Sequence, residues 1–168
     1  EDFFFQEFIP FIEKKYRIKS EKRYRAIAGL SMGGGGSFLY ALRHPEMFSS
    51  SCPLSGDMGE LSYSEFYNKN KEKYGKYRRE KVFNYYSNHN ALSVIQNQTI
   101  ENLKSVRWYI DCGDNDFLYE GNSMVHIALK KRGVPHEYRV RDGAHNWTYW
   151  RSALPEVLSF VSDKFHQK

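Results

Sequence analysis

Cysteine is scarce in this chain: the 168 residues hold two, Cys52 and Cys112. They stand far apart and fit neither a zinc nor a redox spacing, so thiolate chemistry is not expected of them. As buried small hydrophobes near strand ends they need no further role, and a disulfide between them is not expected. Long apolar runs are missing as well. None exceeds a handful of residues, against the roughly 20 that a bilayer-crossing helix needs, so no membrane span is expected. The chain opens on Glu1-Asp2 with neither an initiating Met nor a basic-then-apolar leader. It is therefore expected to be the later part of a longer protein, whose compartment lies outside these residues.

Acidic excess is absent too, since the net charge is +5. That excess has one source. Residues 69–81 (KNKEKYGKYRREK) hold seven Lys or Arg against two Glu, which accounts for all of it. One solvated basic segment without a base-reading motif does not make a nucleic-acid binder, so no such partner is expected. What the chain does have is aromatic mass. Forty per cent is apolar and 17% aromatic, with 13 Tyr and 12 Phe, enough for one buried core and too much for a disordered chain.

Strand and helix signals alternate along the sequence. Residues 2–16 carry Phe4, Phe5, Phe8, Ile9, Phe11, Ile12 and Tyr16 at helical spacing, with Pro10 expected to kink or restart that helix. Residues 23–29 read as a strand ended by Gly29, and residues 33–44 as a helix closed by Pro45. Further strands are expected at 48–54, 106–111 and 136–141, with a helix over 120–132. The chain closes on an amphipathic helix. Its stripe is Trp147, Trp150, Leu154, Val157, Leu158, Val161 and Phe165, and Pro155 is expected to interrupt it. This order predicts an α/β fold, a mostly parallel sheet with helices on both faces. Residues 57–105 break the alternation. They are polar and rich in Tyr and Lys, and are expected to be a lid-like insertion over the active site within a single domain.

Gly29-Leu30-Ser31-Met32-Gly33 matches G-x-S-x-G, with a strand before it and a helix after it. A nucleophilic serine must project from a tight strand-to-helix turn, where flanking side chains would strike the neighbouring backbone. A phosphate loop would read the same glycines differently, but no Lys-Ser/Thr follows Gly33–Gly36. Gly34, Gly35 and Gly36 are expected to let the helix pack tightly on the sheet. A serine nucleophile needs a base, and the base needs an orienting acid, in the chain order Ser, acid, His. Of the six His, only His145 falls just past the C-terminal end of an expected strand. His44 sits at a helix end, where a cation or cap role suffices. The loop after 106–111 offers Asp114 and Asp116 as the acid, and composition does not separate them.

The strings GLSMGG, YIDCGDNDFLYEGN and GAHNWTYW resemble the putative-esterase family of α/β-hydrolases. That family includes feruloyl and acetyl-xylan esterases of carbohydrate esterase family one, esterase D (S-formylglutathione hydrolase) and the mycolyltransferases. The resemblance runs from Phe4 to about Phe165. In its carbohydrate esterase branch, the Asp of a Cys-Gly-x-x-Asp-Phe-Leu-Tyr stretch is the triad acid, which implies Asp116 here. The G-x-H-x-W stretch implies His145 as base, and Ser31 is the implied nucleophile.

The resemblance further implies an α/β-hydrolase fold of which the C-terminal strands and the insertion are present here. It implies ester hydrolysis through an acyl-enzyme, without cofactor or metal, on a small-molecule or polysaccharide ester. It also implies an exported or periplasmic bacterial enzyme. One oxyanion donor is the N–H of Met32, and the second belongs to an earlier strand–helix loop not found in these residues. Trp147, Tyr119 and Asp57 are the candidate substrate contacts, while Trp147 and Trp150 serve equally as packing for the last helix. Sugar acyl transfer, siderophore or thioester hydrolysis, and a non-catalytic binding module are the other readings open to the sequence. The strand at 23–29 is expected to be a sheet edge that seeks the remainder of the domain or a second copy.

Overall fold

A computed structural model describes residues 1–166. Four parallel strands make the sheet: β1 (Ala26–Leu30), β2 (Ser50–Leu54), β3 (Arg107–Gly113) and β4 (His136–Arg141), in the spatial order β1-β2-β3-β4. The helices are α1 (Ile9–Lys15), α2 (Met32–Arg43), α3 (Tyr63–Lys69), α4 (Lys71–Tyr74), α5 (Arg79–His89), α6 (Ala91–Asn97), α7 (Ile100–Lys104), α8 (Tyr119–Lys131) and α9 (Trp147–His166). Parallel neighbours require crossover connections, and α2 and α8 supply them for β1–β2 and β3–β4.

Helices cover both faces, as the alternation predicted. The period of two on β3 sends Trp108 and Ile110 to one side, where they pack with Phe38 and Leu42 of α2, Ile95 of α6, and Val125 and Leu129 of α8. Tyr109 faces the other way and packs with Cys52 and Leu54 of β2 and with Tyr149, Trp150, Ala153, Val157 and Phe160 of α9. Cys52 lies mid-strand rather than near a strand end. Both thiols are free and buried, and burial pushes each up to about 12.

The last helix departs from expectation in two ways. It is continuous from Trp147 to His166 with Pro155 inside it. Pro155 lies on the exposed side, so the backbone bond it cannot make faces solvent, while Ala153 and Val157 anchor the helix on either side. Its buried face is also rotated from the expected stripe. Trp150 and Val157 of that stripe are inside, joined by Tyr149, Ala153 and Phe160, whereas Trp147, Leu154 and Leu158 are exposed.

The segment 57–105 folds as five short helices, and it is not uniformly peripheral. Ala91, Leu92, Val94 and Ile95 of α6 and Leu103 of α7 belong to the main core. Asn90 and Thr99 start these two helices, their side chains accepting from the backbone N–H groups of Ser93 and Asn102. At the N-terminus a wide π turn over Phe3–Phe8 gives way to α1 at Pro10, which acts as a restart. Phe4 and Phe5 pack on Tyr40, while Phe3, Phe8, Phe11 and Tyr16 remain exposed. His44, at the end of α2, pairs with Glu1 at 2.6 Å.

Where α8 meets β4, His126 Nδ1 lies 2.8 Å from His136 Nε2. His136 Nδ1 is 2.8 Å from the Val134 carbonyl oxygen, so it carries a proton and donates there. Its Nε2 then accepts from His126. Burial, then the neighbouring His136 and Lys130, lower the His126 pKa from its ordinary 6.5. The native state therefore prefers the neutral ring. Stability from this pair is complete above the unfolded value and is lost as pH falls through the lower folded one. Thermal melts from pH 7 down to 5 should show a falling midpoint, with a shallower slope in His126→Gln. An identical slope in that variant would place the acid sensitivity elsewhere.

Candidate active site

At the C-terminal end of β1 the backbone turns sharply into α2, and Ser31 sits at the corner with φ 56° and ψ −123°. Such a conformation costs a non-glycine residue on the order of 1–3 kcal/mol, so its surroundings must hold it. They do so at both polar groups. Ser31 N–H donates to the Leu54 carbonyl at 2.9 Å, and the Ser31 carbonyl accepts from Gly35 at 3.1 Å and Asp57 at 3.0 Å. The close approach dictates the glycines. A Cβ on Gly29 would lie 2.2 Å from the Gly33 carbonyl oxygen, and one on Gly35 would lie 1.9 Å from that of Asp57. Gly34 is similarly tight against Leu54 and Gly56. Gly33 and Gly36 have open space where a side chain would go, so the expectation of tight packing fails at Gly36.

The loops after β3 and β4 bring two more sequence candidates to this corner. His145 Nε2 lies 2.8 Å from Ser31 Oγ, and His145 Nδ1 lies 2.9 Å and 3.0 Å from the two carboxylate oxygens of Asp116. Both oxygens of Asp116 face Nδ1 as acceptors, so the Nδ1 proton points to the carboxylate and Nε2 is left to accept from the Ser31 hydroxyl. The Asp116 side chain is fully buried and also accepts from Leu118 N–H at 2.9 Å. Asp114 does not reach the imidazole. Its Oδ1 accepts from the backbone N–H of Gly143 at 3.0 Å. Asp111, buried within β3, accepts from the hydroxyls of Tyr149 and Tyr109 and pairs with Arg141 at 2.9 Å. Burial and this carboxylate raise the Tyr149 phenol above its ordinary value.

The imidazole is walled by aromatic rings. Trp150 meets it edge-on at 4.9 Å, with its indole N–H donating to Ser55 Oγ at 2.9 Å, and Phe117 lies at 4.5 Å on another side. Trp150 is thus core packing that also touches His145. Trp147 is 58% exposed and stands against Trp150 at 5.3 Å, at the mouth. Met32 is the first residue of α2, where the backbone N–H has no intrahelical acceptor, and its side chain is 81% exposed. Asp57 is exposed, and its Oδ1 accepts from Gly59 N–H at 3.1 Å. With Phe117, Leu118, Glu65, Lys69 and Glu120 it lines a cavity of about 310 Å³. Tyr119, at the start of α8, is exposed.

Two residues at this site gave no sequence signal of their role. Phe117 lies inside the acid motif, where nothing in the sequence sets it against His145, and Ser55 is a buried non-glycine at φ 45° that links β2 to α9 through Trp150. A Ser-Gly dipeptide reads as an ordinary turn. No group of three or more His, Cys, Asp or Glu side chains suited to a metal ion occurs among the described residues.

A family model described as "Putative esterase" matches residues 1–161. The chain belongs to this esterase family. It is 25% identical over 169 residues to an acetyl esterase of Caldicellulosiruptor saccharolyticus, covering 96% of this chain and 63% of that protein. To an endo-1,4-beta-xylanase/feruloyl esterase of Xylanibacter ruminicola it is 31% identical over 153 residues, covering 90% of this chain and 16% of that protein. Among solved structures, a ferulic acid esterase superposes with a TM-score of 0.80 at 39% identity, over 98% of this chain and 60% of that one. The S-formylglutathione hydrolase FrmB of Staphylococcus aureus gives 0.72 at 22% identity, over 93% of this chain and 61% of that one, which speaks for the fold alone. This member of the esterase family therefore spans less than two thirds of these relatives. Its sheet, with helices on both faces and the serine at a strand–helix corner, is that of the α/β-hydrolases.

Proposed function

We propose that the protein is a serine carboxylic-ester hydrolase acting on feruloyl or acetyl esters of plant polysaccharide, or on related small esters. The reading rests on one observation above the others: a strained serine hydroxyl 2.8 Å from an imidazole whose far nitrogen is 2.9 Å from a buried carboxylate. The relatives carrying acetyl esterase and feruloyl esterase names support the substrate class.

His145 accepts the Ser31 proton as Oγ attacks the ester carbonyl, and Asp116 holds the ring and stabilises its cation. The N–H of Met32, free at the start of α2, donates to the developing oxyanion. The tetrahedral species collapses, the alcohol leaves with the proton from His145, and an acyl group remains on Ser31 Oγ. Water, deprotonated by the same imidazole, then releases the acid and restores the serine. Trp147 and Phe117 border the acyl group at the mouth, with Tyr119 and Asp57 further contacts. Hydrolysis of a small aryl acetate and of a feruloyl ester by the whole protein tests this reading. Activity that survives Ser31→Ala would refute it.

The same proposal extends to the sheet edge. Among the described residues β1 pairs only with β2, and the exposed Phe8 and Phe11 lie on the segment leading to it. We infer that this edge takes a further strand, from elsewhere in the protein or from a second copy. Residues 1–168 on their own should then self-associate in light scattering, less so with Phe8 and Phe11 both changed to Lys. A monodisperse monomer would contradict the inference.

A further inference from the structure

We propose that Asp114 is a positioning residue for His145. The inference rests on the catalytic reading above and assigns Asp114 a job separate from that of Asp116.

His145 stands on the short connection between Arg141, the last residue of β4, and Trp147, the first of α9. The loop carrying Asp116 is tied to that connection bond by bond. Asp114 N–H donates to the Arg141 carbonyl at 3.0 Å, and Asn115 N–H donates to the Gly143 carbonyl at 2.9 Å. Gly143 N–H in turn donates to Asp114 Oδ1 at 3.0 Å. Both polar groups of the Gly143 peptide backbone are thus held by the acid loop, and Asp114 supplies the side-chain share of that grip. Asn115 Nδ2 donates to the same Oδ1 at 3.0 Å and fixes the carboxylate from its other side.

Gly143 is crowded on two sides, so the position it takes is set by what holds its open side. Its φ is +151°, a Cβ there would lie 2.4 Å from a Tyr149 ring carbon, and a Cβ on Gly113 would lie 2.2 Å from the Gly143 carbonyl oxygen. The glycine is clamped between an aromatic ring and the end of β3. Asp114 closes the clamp on the solvent side. Two residues later in the chain comes His145, whose ring must meet Asp116 at one nitrogen and Ser31 at the other. A site of this kind tolerates about 0.5 Å of misplacement. The two aspartates share the work: Asp116 holds the ring, and Asp114 holds the turn that carries it.

Asp114 is exposed, so removing its side chain leaves no cavity and little effect on stability is expected. The chemistry should feel it nonetheless, because misplacing a catalytic group by about 1 Å costs up to about 10²-fold. Asp114→Ala in the whole protein is expected to lower kcat for an aryl acetate by about 10- to 100-fold, with KM and the thermal midpoint unchanged. Asp114→Asn keeps an oxygen acceptor for Gly143 N–H and should restore turnover close to wild type.

Several results overturn the proposal. Wild-type kcat in Asp114→Ala means the bond to Gly143 is dispensable. A melting point that drops along with kcat, or a variant that does not fold, means the role is structural. An Asn variant as slow as the Ala variant means charge rather than the acceptor matters. Ser31→Ala measured in parallel separates this proposal from the reading beneath it. If that variant stays active the catalytic reading fails, whereas an inactive Ser31→Ala beside an unimpaired Asp114→Ala removes only the positioning role.

Discussion

Ser31→Ala in the whole protein is expected to abolish ester hydrolysis, with turnover falling by about 10⁴–10⁶. The size of the loss follows from the geometry. Ser31 Oγ is the atom that His145 Nε2 meets at 2.8 Å, and without it the imidazole has no hydroxyl to deprotonate. The substitution removes one side-chain oxygen and asks nothing new of the backbone. Its anchors, the bonds from Ser31 N–H to Leu54 and from Gly35 and Asp57 to the Ser31 carbonyl, are main-chain and survive. Circular dichroism and the thermal midpoint should therefore match the parent, which assigns the lost activity to chemistry. Residual hydrolysis near the parent rate would mean that another residue is the nucleophile.

Asp116→Asn should cost roughly 10⁴ in turnover, as a wrong-tautomer histidine does in other triads. The Leu118 N–H claims an acceptor at Oδ1, so the amide oxygen of an Asn is drawn there and its NH₂ turns to the imidazole. His145 Nδ1 must then accept, the ring proton moves to Nε2, and a donor faces the Ser31 hydroxyl where an acceptor is required. Asp114→Asn makes no such demand, because among the described residues the Asp114 side chain bonds to Gly143 N–H and Asn115 Nδ2 and not to the imidazole. Steady-state kinetics on the two variants side by side give the comparison. A large loss at Asp114 and a small one at Asp116 would reverse the assignment.

What could be read from the sequence was what is local. G-x-S-x-G carries its own reason, since Gly29 and the peptide at Gly33 touch within one turn. The strand expected at 136–141 is the strand observed, His136–Arg141. The family motifs separated Asp116 from Asp114, which composition left open. In the structure Asp116 turns inward to the ring and Asp114 outward to a backbone.

What was not legible depended on partners distant in sequence. The helices α6 and α7 are seven and five residues long, too short for a hydrophobic period to register; α6 becomes core because α2 and α8 pack against it, and α7 enters the core through Leu103. The expected stripe of α9 holds at Trp150 and Val157 and fails at Trp147, Leu154 and Leu158, large apolar side chains that point to solvent. The buried face is completed by Ala153 beneath and by Tyr149, whose hydroxyl finds Asp111. Pro155 was expected to break a helix that tertiary contacts hold through it. The His126–His136 pair joins two elements across a turn, and neither ring announces the other.

The most direct test of the central claim is to trap the acyl group. The whole protein is mixed with a slowly released aryl ester or a fluorophosphonate, quenched in acid, weighed intact and mapped by peptide mass spectrometry. One adduct per chain on the peptide containing Ser31, absent from Ser31→Ala and formed far more slowly in Asp116→Asn, is the predicted result. An adduct on another residue, or hydrolysis at the parent rate with Ser31 unmodified throughout, would contradict it.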